Sequence, residues 1–346
     1  MAELQSRGFL IELFDPRHVH RYAAVVYSKT YDDASYQQAV KLRRAGIRII
    51  FDLCDNHFYN PQNLSYWKEA RQRLTRMMEL ADALVVSSEA LAEVVKRELA
   101  TRCSIAVIGD PVETDLNNWP MANWRRWLAV RQAARLCAKL RAGQEQGRTP
   151  LIWFGNHGSP YAEGGMLDLQ RLGPLLEGLN RRSPISLTVI SNSRWKYQRY
   201  IRPWRIPTHY LAWHPATFLP LLREHVIAVI PISPNPFTWC KSNNRLAIAL
   251  NEGVAVVADP IPSYRDFAGA CCLGDWETGL DRYLMDPQLR RSHVGTARTI
   301  IRNEWSISRI TDRWQAFFDA FLGSGKVSPL SNLCMGTVVS AARPQE

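Results

Sequence analysis

Trp153-Phe-Gly-Asn-His-Gly-Ser-Pro follows an apolar run at 151–154. A strand that ends in a glycine-containing loop ahead of a helix leaves backbone N–H groups free where the helix dipole is positive, and such a loop binds phosphate. Gly155 and Gly158 would let a diphosphate approach closely, with Asn156 and His157 as hydrogen-bond donors. The stretch is neither GxGxxG nor a P-loop, and a tight turn without a ligand would use the same residues. A second stretch runs from Pro234 through Cys240-Lys-Ser-Asn-Asn-Arg to Glu252-Gly253. It reads as a Pro-rich loop, a helix capped near Ser242 or Asn243, and a glycine stop. Lys241 and Arg245 then sit at the helix start, where cations oppose the macrodipole. An anion bound between them would remove the conflict; a solvated basic helix start is the plainer alternative.

Phe51-Asp-Leu-Cys-Asp-Asn-His closes another apolar run. Ligands of open α/β sheets bind at that end of a strand. Asp52, Asp55 and His57 are candidate metal ligands of low specificity. His57 polarising a substrate hydroxyl, or a loop tied by its own hydrogen bonds, fits the residues better. The segment 125–148 carries seven cations against Glu145 alone, with Trp124, Trp127, Val130, Ala134 and Cys137 at helical spacing. Such a helix packs its apolar stripe and solvates its charges, or lies on an anionic membrane or nucleic acid.

These stretches need a scaffold. The 346 residues, 46% hydrophobic and 22% charged, suffice for two packed domains and exclude wholesale disorder. Nearly continuous apolar runs at 23–27, 47–52, 83–87, 105–108, 151–154, 186–190, 226–231 and 254–258 alternate with helical patterns. That alternation predicts parallel, doubly wound sheets covered on both faces. It breaks at 117–149, a long helix at about 121–141 and a polar loop. The division is therefore 1–120, an abbreviated first domain; 121–149, a linker helix; 150–303, a second domain; 304–322, a closing helix; and 323–346, a flexible tail. The twelve tryptophans are expected mostly in cores or clefts. The first residues lack a basic start and an unbroken apolar stretch, and no run is long enough to span a bilayer. Seven cysteines with no CxxC suggest neither disulfides nor zinc. A cytoplasmic protein is expected. The net charge of +11 favours anionic partners without identifying them. HExxH, GxSxG and Asp-x-Asp motifs are absent, and the basic segment lacks the aromatic interleaving of single-strand binders, so nucleic acid ranks last.

Four segments, in order, resemble the retaining GT-B glycosyltransferases of the group-1, glycogen-synthase-like clan. They are Ala81-Asp-Ala-Leu-Val-Val-Ser-Ser-Glu-Ala-Leu, Ile108-Gly-Asp-Pro-Val-Glu, the glycine stretch at 151–158, and 241–258 with Asp259-Pro-Ile-Pro-Ser-Tyr-Arg-Asp-Phe. The resemblance spans most of 20–320. It implies two Rossmann-like domains facing across a cleft, with the helix at 307–322 crossing back to the first domain. It implies retaining transfer of a sugar from a nucleotide-sugar to a hydroxyl acceptor, glycan or lipid-linked, with no metal and no cofactor.

The resemblance also assigns residues. Gly155, Asn156 and His157 lie by the diphosphate, with Asn244 among the donor-binding residues. Lys241 and Arg245 neutralise the leaving group. Trp213 and His214 lie by the base, His57 by the transferred sugar, and Asp55 and Asn56 on the acceptor side. The family's paired glutamates would fall near 240 and 248, where Cys240 and Ile248 stand; Glu252 is the substitute considered for holding the ribose. The missing glutamates and the short first domain keep a second reading open, a non-catalytic binding or scaffold protein. Peripheral membrane contact on the cytoplasmic face through 125–148 is compatible with the sequence and not required by it.

Overall fold

The computed structural model describes residues 1–99, 103–116, 123–158, 163–323 and 334–339. The chain divides into two compact units. One comprises Met1–Pro111, Trp239–Ser242 and Ile307–Glu346; the other, Val112–Thr238 and Asn243–Ser306.

The first unit is built on six parallel strands: β1 (Leu10–Leu13), β2 (Tyr22–Ser28), β3 (Arg48–Leu53), β4 (Ala83–Val86), β5 (Ser104–Val107) and β12 (Cys334–Val339). Their order is β1-β12-β2-β3-β4-β5. β12 lies inside the sheet, with Leu10 opposite Cys334 and Val339 opposite Ser28. This corrects the expectation of a tail from 323 onward at these six residues; the rest, from 324 to 333 and beyond 339, lies outside the described residues. It also completes a sheet whose N-terminal part alone is short. Every residue of β4 is buried, as both faces of a parallel sheet require. The helix Ile307–Gly323 belongs to this unit, where Arg7 pairs with Asp312 at 2.6 Å and Arg48 donates to the carbonyl of Phe321.

The second unit holds β6 (Thr149–Phe154), β7 (Ile185–Ser191), β8 (Thr208–Ala212), β9 (Ile227–Ile230), β10 (Ala255–Ala258) and β11 (Cys272–Leu273). These too are parallel, in the order β11-β10-β9-β6-β7-β8. All seven residues of β7 are buried. The long helix, Asn123–Glu145, is part of this unit rather than a separate linker.

The stripe read for that helix needs correction. Ala133, Leu136 and Leu140 are its buried residues, with Cys137 packed beside them. Trp124, Trp127 and Val130 are 61%, 58% and 46% exposed, and Ala134 is exposed too. The packed face is set by small and aliphatic residues one position off the aromatic pattern. Trp195, Trp213 and Trp239 are also exposed, while Trp67 and Trp153 are buried and Trp204, Trp276, Trp305 and Trp314 half-buried.

Candidate functional site

In the first unit, polar side chains converge at the carboxyl ends of the strands, where an open sheet binds ligands. After β2, Lys29 adopts a left-handed conformation (φ 52°), held by its N–H donating to the carbonyl of Asp52 at 2.9 Å. Such a conformation is costly for a non-glycine residue and concentrates at functional sites. After β3, the Asp55 carboxylate accepts from Lys241 Nζ at 2.6 Å and faces Lys29 Nζ at 3.4 Å. Burial disfavours its ionisation, but the two ammonium groups outweigh this and hold its pKa well below the ordinary carboxylate range. Asp52 accepts from Ser28 Oγ at 2.8 Å; burial raises its pKa, and Asp110 nearby adds to the rise.

His57 is half-buried against the edges of Tyr31 and Trp67, with Nδ1 3.0 Å from the Tyr31 hydroxyl. Burial lowers its pKa to about 4, partly opposed by Asp55, so the ring is neutral at physiological pH. Asn56 is only 2% exposed, and its Oδ1 accepts from the N–H of Phe58. It fixes the loop from inside. The short segment Trp239–Ser242 completes the cluster. Ser88 Oγ donates to the carbonyl of Cys240 at 2.8 Å while accepting from Leu91 N–H as the cap of its helix. Ser242 Oγ donates to Asp110 at 2.7 Å.

Lys241 therefore lies ahead of the helix Asn244–Asn251, not in its first turn, and its ammonium group is committed to Asp55. Cys240 is buried in the first unit's core.

In the second unit, Arg245 reaches the end of β6, donating to the carbonyl of Phe154 at 3.3 Å. A Cβ on Gly155 would stand 2.8 Å from its guanidinium. Gly158 has φ 113°, and a Cβ there would lie 2.7 Å from the carbonyl oxygen of Gly164. The glycines thus permit a tight turn against Gly164 and Gly165. Three of the turn's N–H groups are already engaged within the protein. Gly155 N–H donates to Ile190, His157 N–H to Asn192 Oδ1, and Gly158 N–H to Asn156 Oδ1. Charge beside the turn comes instead from Arg245 and from Lys196, whose Nζ donates to the carbonyl of His157 at 3.2 Å.

Lys196 and Asp168 escaped the sequence reading. Asp168, 5% exposed, accepts from Ser233 and lies in the field of Arg245; burial raises its pKa. The only trace of either in the sequence is a charge just downstream of a strand, beside Arg194, or of the glycine pair.

His214 caps the helix Pro215–Leu222 through Nδ1, with Trp213 exposed beside it. Glu252 is at the wrong end of its helix. It is the C-terminal cap, bonded to Arg223 Nε at 2.5 Å, about two turns from Arg245. Ile248 packs against the second unit's core.

Several buried polar atoms of this unit have no hydrogen-bond partner among the described residues: Trp153 Nε1, His157 Nδ1, His214 Nε2, both amide atoms of Asn243, and Asn244 Oδ1. All lie close to the carboxyl end of β6, just after β8, or at the start of the helix carrying Arg245. Among the described residues, no trio of His, Cys, Asp or Glu is placed to hold a metal, and no helix is long and apolar enough to cross a membrane.

No family model matches the chain, and no curated protein matches it in sequence. Solved structures do match. Sucrose-phosphate synthase from Thermosynechococcus elongatus is 13% identical with a TM-score of 0.61, covering 88% of this chain and 75% of that one. The UDP-forming α,α-trehalose-phosphate synthase from Burkholderia vietnamiensis is 16% identical (TM-score 0.60; 88% and 74%). TarM from S. aureus is 11% identical (TM-score 0.58; 86% and 55%). These are GT-B glycosyltransferases. The two six-stranded parallel sheets have the GT-B fold.

Proposed function

We propose that the protein is a retaining glycosyltransferase, moving a sugar from a nucleotide-sugar bound by the second unit to a hydroxyl of a glycan or lipid-linked acceptor. The observation that carries this reading is the set of partnerless buried polar atoms around the end of β6 and the start of the Arg245 helix. Each costs about 1–3 kcal/mol unless something pairs with it. A ligand rich in donors and acceptors, with an anionic centre for Arg245 and Lys196, would satisfy them together. The GT-B fold and the UDP-forming neighbour support a nucleoside diphosphate as that ligand.

In this reading the anomeric carbon–oxygen bond breaks and its electron pair goes to the β-phosphate oxygen. Arg245 and Lys196 stabilise that charge without requiring a metal. The acceptor oxygen bonds to the same face of the anomeric carbon, and its proton passes to the departing phosphate. Neutral His57 with Tyr31 offers hydrogen bonds to a sugar hydroxyl without adding charge. The role first read for Lys241 at the diphosphate passes to Lys196.

Thermal-shift titration with UDP, GDP, ADP, TDP and CMP, with and without EDTA, tests the donor site. One nucleoside diphosphate should raise the melting temperature in both conditions. Arg245→Ala and Lys196→Ala should each weaken its binding by about 1.5–3 kcal/mol, the scale of a charged hydrogen bond. Cys240 and Ile248, standing where paired glutamates were expected, favour a second reading, a non-catalytic binding or scaffold protein. Binding with no sugar transfer across a panel of acceptors would select it. No shift with any nucleotide would overturn the donor site and select the scaffold form of the second reading.

A further inference from the structure

The first turns of the helix Asn123–Glu145 present an unusual face. Trp124, Trp127, Leu128, Arg131 and Arg135 recur at intervals of three and four residues, so they form one stripe. Ala133, the first buried residue, is nine positions from Trp124, about two and a half turns, and so on the opposite side. The stripe therefore points away from the second unit's core. Trp124, Trp127 and Leu128 are 61%, 58% and 40% exposed. Arg125 and Arg131 stand over the Trp124 and Trp127 rings at 5.2 and 5.3 Å.

A second observation lies alongside. A cavity of about 790 Å³ opens between this helix and β8. Four cations line it, Arg135, Lys139, Arg194 and Arg202, with no Asp or Glu among its walls. None of the four makes an ion pair among the described residues. Arg135 belongs to both the exposed stripe and the cavity wall. Trp195, 63% exposed, follows Arg194 directly.

We propose that this stripe and the cavity beside it form the seat for an anionic lipid surface, the tryptophans entering the headgroup boundary and the cavity taking a lipid phosphate. Charge complementarity argues for this occupant. Exposed indole rings flanked by arginines are the chemistry of a peripheral interfacial helix, where apolar area and attraction to anionic headgroups add. A soluble phosphate would use the cavity but leave the tryptophans and Leu128 in water. The inference does not depend on the donor site.

The test is flotation of the full chain with vesicles of phosphatidylcholine alone and with phosphatidylglycerol added. Binding should be at least roughly tenfold tighter to the anionic vesicles and should fall as salt rises. Trp124→Ser/Trp127→Ser should lose roughly tenfold or more of that binding, and Arg135→Glu/Lys139→Glu a similar amount. These side chains are largely exposed or line an open cavity, so an unchanged melting temperature checks each fold. Vesicles with brominated acyl chains should quench tryptophan emission, less so in the Trp124→Phe/Trp127→Phe protein, which keeps the other ten indoles. The proposal is overturned if the native protein ignores anionic vesicles, or if the tryptophan variant binds them as tightly. Equally, tight binding to inorganic polyphosphate or duplex DNA without vesicle binding would make this a soluble-polyanion site and overturn it.

Discussion

Two ionisable groups at the end of β3 give the first unit a defined pH response. The folded pKa of Asp55 is depressed by Lys241 and Lys29. Its contribution to stability is therefore present above the unfolded carboxylate value, about 3.9, and is lost as pH falls below it. Lys241→Met should cost on the order of 1 kcal/mol at neutral pH, since both partners are partly solvated and the attraction is screened. The cost should shrink below about pH 4, which melting curves against pH would show. His57 is also depressed, from 6.5 to about 4, with burial as the main cause. Between those values the unfolded chain binds the proton and the folded chain does not, so stability falls as pH drops from 6.5 towards 4. The effect is at most about 3 kcal/mol. His57→Gln should flatten that slope, and an NMR titration of the His57 ring should find it neutral down to about pH 4–5. A ring titrating near 6.5 would contradict the burial argument. Asp55 and His57 were legible because they end an apolar run, where strands of this class present their ligands. The partner of Asp55 was not, because Lys241 is 186 positions away and the local pattern placed it on a helix.

Interior strands announce themselves through continuous apolar runs, because both faces are covered. The eight runs read from the sequence correspond to β2–β7, β9 and β10. β1, β8 and β11 went unread for a common reason. Each is a sheet edge whose burial is broken by exposed or half-buried residues, as in Leu10–Leu13 and Thr208–Ala212; β5, also an edge, was legible because 105–107 is a continuous apolar run. The glycine turn after β6 was legible as a turn, but its amide bonding was not. That bonding depends on Asn192, at the end of the neighbouring strand. The turn's demand for glycine can be checked. Gly158→Ala would force a left-handed alanine and place its Cβ 2.7 Å from a backbone oxygen that cannot easily retreat. A loss of roughly 1–3 kcal/mol is expected, with weaker nucleotide binding. Gly46→Ala has a similar φ of 83° but open space around it, and should cost only the backbone strain, about 1 kcal/mol. Equal losses at the two glycines would show that the contact with Gly164 is not what holds the turn.

The chain as a whole joins sequence-distant pieces into one sheet. β12 comes from residues 334–339 yet separates β1 from β2, with Met335 only 1% exposed. Composition gave no warning, because the preceding residues are mostly Ser, Gly, Pro and Asn and the apolar run is short. A chain stopped after residue 333 would leave the facing edges of β1 and β2 without their ladder partners and reopen part of the first unit's core. The expected result is loss of a large share of the first unit's stability, on the order of several kcal/mol. The second unit carries its own six-stranded sheet and should be spared. Calorimetry of the truncated chain should then show an early transition, or none for the first unit, with a later one retained. If the short chain cannot be purified, Gly336→Val asks the same question more gently. A Cβ at that position lies 2.9 Å from the Phe14 ring, so valine overpacks the strand by roughly 1–3 kcal/mol while leaving every ladder bond possible. A chain truncated at 333 that melts as the full chain does would mean that β12 adds nothing to the sheet. The first unit would then be a five-stranded structure complete without its C-terminal strand.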